Sequence, residues 1–534
     1  KLAPGGLHKL EWPPDMQPSA MFSRWAAASI GPAHVAAASA RRCSTRLGKA
    51  AAARSVALQG AVPAGAAEPK VHDHVFSGLS PDGILSSWRK AQGLKPEDHV
   101  AALFYLGRAV RGRGAGDDLK HWETHDTWQS KLHGDPTFGL LLSACGEAVP
   151  TLVPRRVARV LLGLGDTHED FPFCHQELPR SHVAAVLSVA DAACAELLKC
   201  WTSPGSLDAL RHDDRDLAFT LFALSRLGIF NEEVFACASN LLAAKLTAPV
   251  SEGVGKALPV EALRQWMLAC NGVNFPLEVH RGAITEYPLS EWQRESHGRL
   301  HQLAGALAFL RNPDPLLSRV VEEINRRPVS QIGKKSVPTA IYGLQVVRLL
   351  SEHGGLNIEA RINDELAAAL DYWMEEKAAA VRRGSLLERS VGEALDALGW
   401  QPTSDVTIGH GLSADFRCQV VPGSPEGGRS GRIFFVEVDG PSHFCVRPRL
   451  RPRGRTVLKR RVFEAMGLEL VSVPYWLVGT ADPATLRQRQ GRRARSGVCP
   501  DELRALVCSQ LANSGSAQSS APAPARTGHE GVLR

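Results

Sequence analysis

From Asp98 to Arg383 apolar residues recur at helical spacing, with hardly any of the alternation that marks a half-buried strand. The clearest unit runs from Leu217 to Gly228. There Leu217, Leu221, Leu224 and Leu227 share one face, and Gly228 is placed to end the helix. A second helix is predicted from Glu232 to Leu246, and similar starts recur near Ala262, Leu303 and Ala340, roughly 40 residues apart. Earlier candidates lie at Val157 to Leu164 and His182 to Leu198. Irregular spacing near that value predicts an α-solenoid-like region of helix pairs, each unit burying its apolar face on the next.

The pattern changes at Arg432. Ile433-Phe434-Phe435-Val436 suits a strand buried on both faces, and Gly440-Pro441 cannot continue a ladder. A dense basic loop follows, with Arg447, Arg449, Arg451, Arg453 and Arg455. Leu458, Val462 and Ala465 then recur at helical spacing, with Gly467 placed as a C-cap. Leu470, Val471 and Val473 predict a second short strand, stopped by Pro474. Two carboxylates, Glu437 and Asp439, therefore sit at the carboxyl end of a central strand beside arginines, where α/β sheets usually bind ligands.

Three blocks in this order resemble the RAP domain, a module of organellar RNA-binding proteins. They are Glu437 to Phe444, Arg455-Thr456-Val457-Leu458-Lys459-Arg460-Arg461, and Val471-Ser472-Val473-Pro474-Tyr475-Trp476. The likeness begins further back, at Ser385 to Glu388 and the amphipathic stretch Val391 to Leu398, with Asp415 in between. The resemblance implies a small α/β domain similar to the restriction-endonuclease-like fold, preceded by helical repeats as in octotricopeptide-type proteins and relatives of the Fas-activated kinase family. The expected organisation is a transit peptide and disordered segment over 1–75, helical repeats over 76–384, the RAP domain over 385–480, and a basic then Ser/Ala/Pro-rich disordered tail over 481–534.

In nucleases of that fold, an Asp and an acid-x-Lys pair hold Mg²⁺ and activate water. Asp415 matches the first position and Glu437 with Asp439 the second region, and Glu388 stands as an outer ligand. Gly440 follows Asp439, so the strand lysine is absent and Lys459 or His443 would have to replace it. The resemblance thus implies candidate Mg²⁺ ligands in Asp415, Glu437 and Asp439, and leaves catalysis doubtful. The simpler structural account is that Asp439 caps the Gly440-Pro441 turn and Glu437 pairs with one of the arginines.

Charge narrows the partner. Between Ser385 and Pro500 there are 17 Lys+Arg and 11 Asp+Glu, a local surplus of +6 in a chain whose formal net charge is +7. Localised positive charge is the footprint of a phosphate backbone. Arg447, Arg449, Arg451, Arg453, Arg455, Lys459, Arg460, Arg461 and His443 are the expected RNA contacts, with Arg487, Arg489, Arg492, Arg493 and Arg495 extending the charge. Tyr475 and Trp476 offer stacking faces for an unpaired base, though packing at the sheet's end explains Trp476 as well.

From Met21 to Ala67 there is no Asp or Glu, and six Arg and Lys are spread through Ala and Ser. That composition predicts a mitochondrial transit peptide and a matrix location; a plastid transit peptide would look much the same. The 11 cysteines show no framework and no zinc-finger spacing, and Cys174-His175 carries no role. No run of 18 apolar residues appears, so no membrane helix is expected. There is no Gly-rich phosphate loop and no kinase signature. Three functions fit the sequence: a mitochondrial protein that binds organellar mRNA or rRNA, a Mg²⁺-dependent endoribonuclease, or an adaptor that meets mitochondrial ribosomal proteins.

Overall fold

The computed structural model describes residues 75–518 apart from 112–131, 169–177, 204–212, 248–257, 289, 291, 294, 330–336, 381–384, 421–430, 449 and 478–497. The transit-peptide reading, Cys174, Arg449 and Arg487 to Arg495 lie outside the described residues.

Helices dominate up to residue 380. They are α1 (Pro81–Lys90), α2 (Pro96–Val110), α3 (Pro136–Ala148), α4 (Pro154–Thr167), α5 (Arg180–Thr202) and α6 (Asp214–Arg226). The chain continues with α7 (Glu232–Thr247), α8 (Val260–Gly272), α9 (Arg281–Thr285), α10 (His297–Leu307), α11 (Leu316–Asn325), α12 (Val337–Glu352) and α13 (Asp364–Ala380). From α2 to α12 the even-numbered helices each pack on the next, forming an inner row. The odd-numbered α3, α5, α7, α9 and α11 form a second row against it. Starts are set by local chemistry: Asp135 and Asp213 accept main-chain N–H groups at the heads of α3 and α6, and Pro opens α1 to α4. The predicted Leu217–Leu227 face is buried, with Leu217, Leu221, Leu224 and Leu227 at most 1% exposed. Small residues bring the rows close. A Cβ on Gly305 would lie 2.8 Å from the Gly343 Cα, so α10 and α12 cross backbone to backbone there.

The C-terminal part is a four-stranded sheet in the order β1-β2-β3-β4: β1 (Thr403–Gly409), β2 (Leu412–Val420), β3 (Arg432–Asp439) and β4 (Leu470–Pro474). The first two pairings are antiparallel and β3–β4 is parallel. Helix α14 (Leu386–Ala397) precedes the sheet, opened by a capping box between Ser385 and Glu388. Helix α15 (Gly454–Ala465) links β3 to β4, and α16 (Pro500–Gln518) closes the domain. Phe434, Val436 and Val438 face a core shared with Val391 and Leu395 of α14 and Leu503 and Val507 of α16. Phe435 faces the other way and packs edge-on against Phe463 of α15. The strand is buried on both faces, as its unbroken apolar run predicts.

The tail corrects the reading in one place. The composition predicts a basic segment and then a Ser/Ala/Pro-rich disordered tail over 481–534, with the disorder after Gln510, yet Pro500–Gln518 is a helix on β4 and α14. Leu503, Val507 and Leu511 are at most 4% exposed and fall one turn apart, a stripe that the surrounding Ser, Ala and Arg obscure.

Candidate functional site

The basic segment from Arg447 to Arg461 runs along one edge of the helical stack, where the inner-row helices present their C-terminal carbonyls. Such carbonyls have no partner within the helix and carry the negative end of its dipole. Past α6, the Val446 N–H donates to the Gly228 carbonyl at 2.7 Å, and the Arg447 carbonyl accepts from the Phe230 N–H at 2.7 Å. Past α8, Arg451 donates to the carbonyls of Val273 (2.7 Å) and Asn274 (2.5 Å), and Arg453 donates to Gly272 at 3.3 Å. Past α10, Arg461 donates to the carbonyls of Ala308 and Phe309, both at 3.0 Å. The Arg451 guanidinium also lies 3.6 Å over the centre of the Phe230 ring. Burial pulls Arg451, Arg453 and Arg461 below the usual arginine range, and each holds its charge against oxygens.

The arginine row therefore joins the two parts of the molecule, and this is where its placement departs from the sequence reading. Arg451, Arg453 and Arg461 point into the seam. Arg447 pairs with Asp191 of α5, and exposed Arg455 stacks 4.5 Å from the Tyr342 ring centre. Alternation of Arg with Pro and Gly signals a stiff cationic loop, but not whether its anion is a phosphate or a row of carbonyls.

The second cluster lies on the α15 face of the sheet. Phe416 pairs with Val436, which brings Asp415 and Glu437 side by side. The Asp415 carboxylate accepts the Val438 N–H at 2.6 Å, and Lys459 of α15 places Nζ 2.6 Å from a Glu437 oxygen. Burial, then the Glu437 charge, pushes the Asp415 carboxyl up to about 7, against smaller downward pulls from the Val438 N–H and Lys459. Asp439 is fully buried and committed elsewhere. It meets Arg460 at 2.9 Å, His443 Nδ1 at 2.7 Å and the Ser472 hydroxyl. Burial works to raise Asp439, but His443, Ser472 and Arg460 together outweigh it and hold the carboxyl below the usual range.

The candidate ligands thus divide. Asp415 and Glu437 are hard oxygen donors side by side, a donor type that suits Mg²⁺, and Lys459 stands beside Glu437. The oxygens of Asp439 already serve Arg460, Ser472 and His443, so this residue reads as the structural anchor that joins β3, β4 and α15. Tyr475 and Trp476 pack against Phe444, the Trp476 ring centre 4.6 Å from that of Phe444, so their role in the fold is to close the sheet's end.

A third feature has no counterpart in the sequence reading. A pocket of about 440 Å³ opens at the seam, between the ends of α8 and α10 and the outer face of α15. Arg281, Arg311 and Arg461 line it, with the rings of Phe275 and Phe309 and the amide of Asn271. Glu278 is the one acidic residue in the lining. The Asn271 side chain donates to the Ala306 carbonyl at 3.0 Å, and its buried Oδ1 has no partner among the described residues. These residues come from three separate stretches, 271–281, 309–312 and 457–461, and no local motif marks them. The only trace is that an Asn and a Phe stand just past each of two successive inner-row helices, as Asn274-Phe275 and as Phe309 with Asn312.

Residues 436–478 match the family described as the RAP domain, and no curated protein matches the chain. The match covers the β3 carboxylates, the arginine loop, α15 and β4, and RAP domains are associated with RNA binding. The chain is a RAP-domain protein: a stack of helices followed by a small α/β RAP domain whose own basic segment fastens it to that stack.

Proposed function

We propose that the protein is a mitochondrial RNA-binding protein acting on organellar transcripts or ribosomal RNA, and that its RNA crosses the seam between helical stack and RAP domain. The observation that carries this reading is the seam pocket, built jointly by both parts. The guanidiniums of Arg281 and Arg311 beside two aromatic rings supply what an unstacked nucleotide needs: phosphate neutralisation and a stacking face. Its volume, about 440 Å³, lies within the usual range for small-ligand sites. The compartment rests on the acid-free, arginine-bearing stretch from Met21 to Ala67, with a plastid as the alternative. A place among mitochondrial ribosomal proteins fits the same surfaces, because rRNA offers phosphate and protein faces together.

Crosslinking in isolated mitochondria followed by sequencing of the attached RNA tests the proposal. Reads confined to rRNA make the protein a ribosome component or assembly factor, and reads at transcript ends point to processing. Recovery of no RNA above a non-crosslinked control contradicts it.

The contact between Lys459 and Glu437 favours a second reading, a Mg²⁺-dependent endoribonuclease using Asp415, Glu437 and Lys459. In that reading Asp415 and Glu437 would hold the ion, which would supply Lewis-acid chemistry at a phosphate, and Lys459 beside Glu437 would orient the attack. Lys459→Ala would then abolish cleavage and leave RNA affinity within a few-fold. Cleavage that survives both Lys459→Ala and Asp415→Asn rules it out.

A further inference from the structure

Three histidines converge where α3, α4 and α5 meet. His133 lies just before α3, His168 directly follows α4, and His182 is in the first turn of α5. We propose that His133, His168 and His182 form a three-imidazole site for a divalent transition metal of the zinc class, which staples the inner and outer rows of the helical stack. The inference is independent of RNA binding.

The argument begins with distances. One ring nitrogen from each histidine falls within 4.8 Å of the other two, and His168 Nε2 is 3.0 Å from His182 Nε2. A tetrahedral ion with bonds of about 2.0–2.1 Å holds its nitrogen donors about 3.3 Å apart. Two of the three already stand at that spacing, and a small rotation about the side-chain bonds brings in the third.

The tautomers agree. His168 Nδ1 lies 2.9 Å from the Thr167 hydroxyl and 3.1 Å from the Leu164 carbonyl; the carbonyl can only accept, so the tautomer that satisfies it carries the hydrogen on Nδ1 and a lone pair on Nε2. His133 hydrogen-bonds the backbone of Thr167, while its Nε2 is buried without a partner among the described residues. Histidines that ligate metals typically donate the other ring N–H to a carbonyl in this way, which fixes the ring and directs its lone pair. His182 can donate one N–H to His168, but the lone pair on His133 then stays unmet, and an unpaired buried acceptor is unfavourable. A cation satisfies all three at once.

Donor type selects the ion. Three neutral imidazoles with no carboxylate in the group suit zinc, nickel or copper over Mg²⁺ or Ca²⁺. The Phe138 ring, centred 5.6 Å from His168 and 5.8 Å from His182, shields one side. His133 and His182 are half-buried, so an ion can enter between them and keep a water as fourth ligand.

The test uses the untagged full-length chain, equilibrated with one equivalent of Zn²⁺ and dialysed against metal-free buffer, with elemental analysis and with Co²⁺ as a spectroscopic probe. The expected result is about one zinc retained per chain and a tetrahedral cobalt spectrum. Both should be lost in the half-buried pair His133→Ala/His182→Ala and kept in Asp439→Asn, which reports on the carboxylate cluster instead. Wild-type protein that retains no zinc and leaves cobalt octahedral overturns the proposal, whatever the variants do. Full metal retention in the double variant also overturns it.

Discussion

The Nε of Arg451 donates to the carbonyl of Val273 at 2.7 Å, across 178 residues of sequence. A side chain from the RAP loop thereby completes the end of a helix in the stack. The same relation recurs with Arg461 at the end of α10 and, through main-chain bonds, with Val446 at the end of α6. The loop meets successive helices in order, so its length and stiffness match the repeat of the stack.

Removing this contact should loosen the seam. Arg451→Ala deletes two charge-assisted hydrogen bonds and a stacked cation, and should cost about 3 kcal/mol in urea unfolding. Arg451→Lys should recover only part, because an ammonium lacks the planar fork. Hydrogen exchange should rise in residues 444–461 and at the end of α8. Unchanged exchange in both places would contradict a docking role.

Gly454 opens α15 directly against the stack. A Cβ there would overlap the Asn271 carbonyl and crowd the Phe309 ring, and the first of these is backbone that cannot swing away. Gly454→Ala should therefore displace α15, with a loss of about 2–4 kcal/mol in thermal or urea unfolding. Gly440→Ala, where nothing lies within 4 Å of the added carbon, is the matched control and should cost little.

Asp439 and Asp415 should pull the pH profile in opposite directions. The folded-state pKa of Asp439 is depressed, so its contribution is present above the unfolded value near 4 and is lost as pH falls below it. Asp415 is raised to about 7, so its contribution is present below about 4 and is lost as pH rises towards and through 7. Asp415→Asn should flatten the decline between about pH 4 and 7 and leave acid unfolding in place. Asp439→Ala strands the partly buried Arg460 and should cost about 3–5 kcal/mol at neutral pH. Equilibrium unfolding at pH 3, 5 and 8 separates these outcomes.

Much of this architecture is legible in the chain. The Leu217–Leu227 face, the unbroken apolar run of β3, the Gly440-Pro441 stop and the Gly467 cap are local signals, and each element forms where its signal lies. What the chain hides is pairing. Arginines that look like an RNA clamp dock on helix ends, because guanidinium satisfies a carbonyl as readily as a phosphate. Lys459 and Glu437 are separated by 22 positions yet meet, because β3 and α15 fold against one another. The seam pocket and the three histidines draw on distant segments, so neither leaves a motif.

The central claim is that RNA is held at the seam, and the most direct measurement is the affinity of the full chain for single-stranded RNA across a salt series. The comparison is wild type against Arg281→Ala/Arg311→Ala, two side chains on the pocket wall that lie outside the docking contacts. The account predicts saturable binding by the wild type and at least tenfold weaker binding by the variant. The dependence of log K on log salt should also flatten by about 1.4, the value for two lost phosphate contacts on a single strand. Equal affinity and equal salt slope in a folded variant would place the RNA elsewhere, and no saturable binding by the wild type would contradict the account altogether.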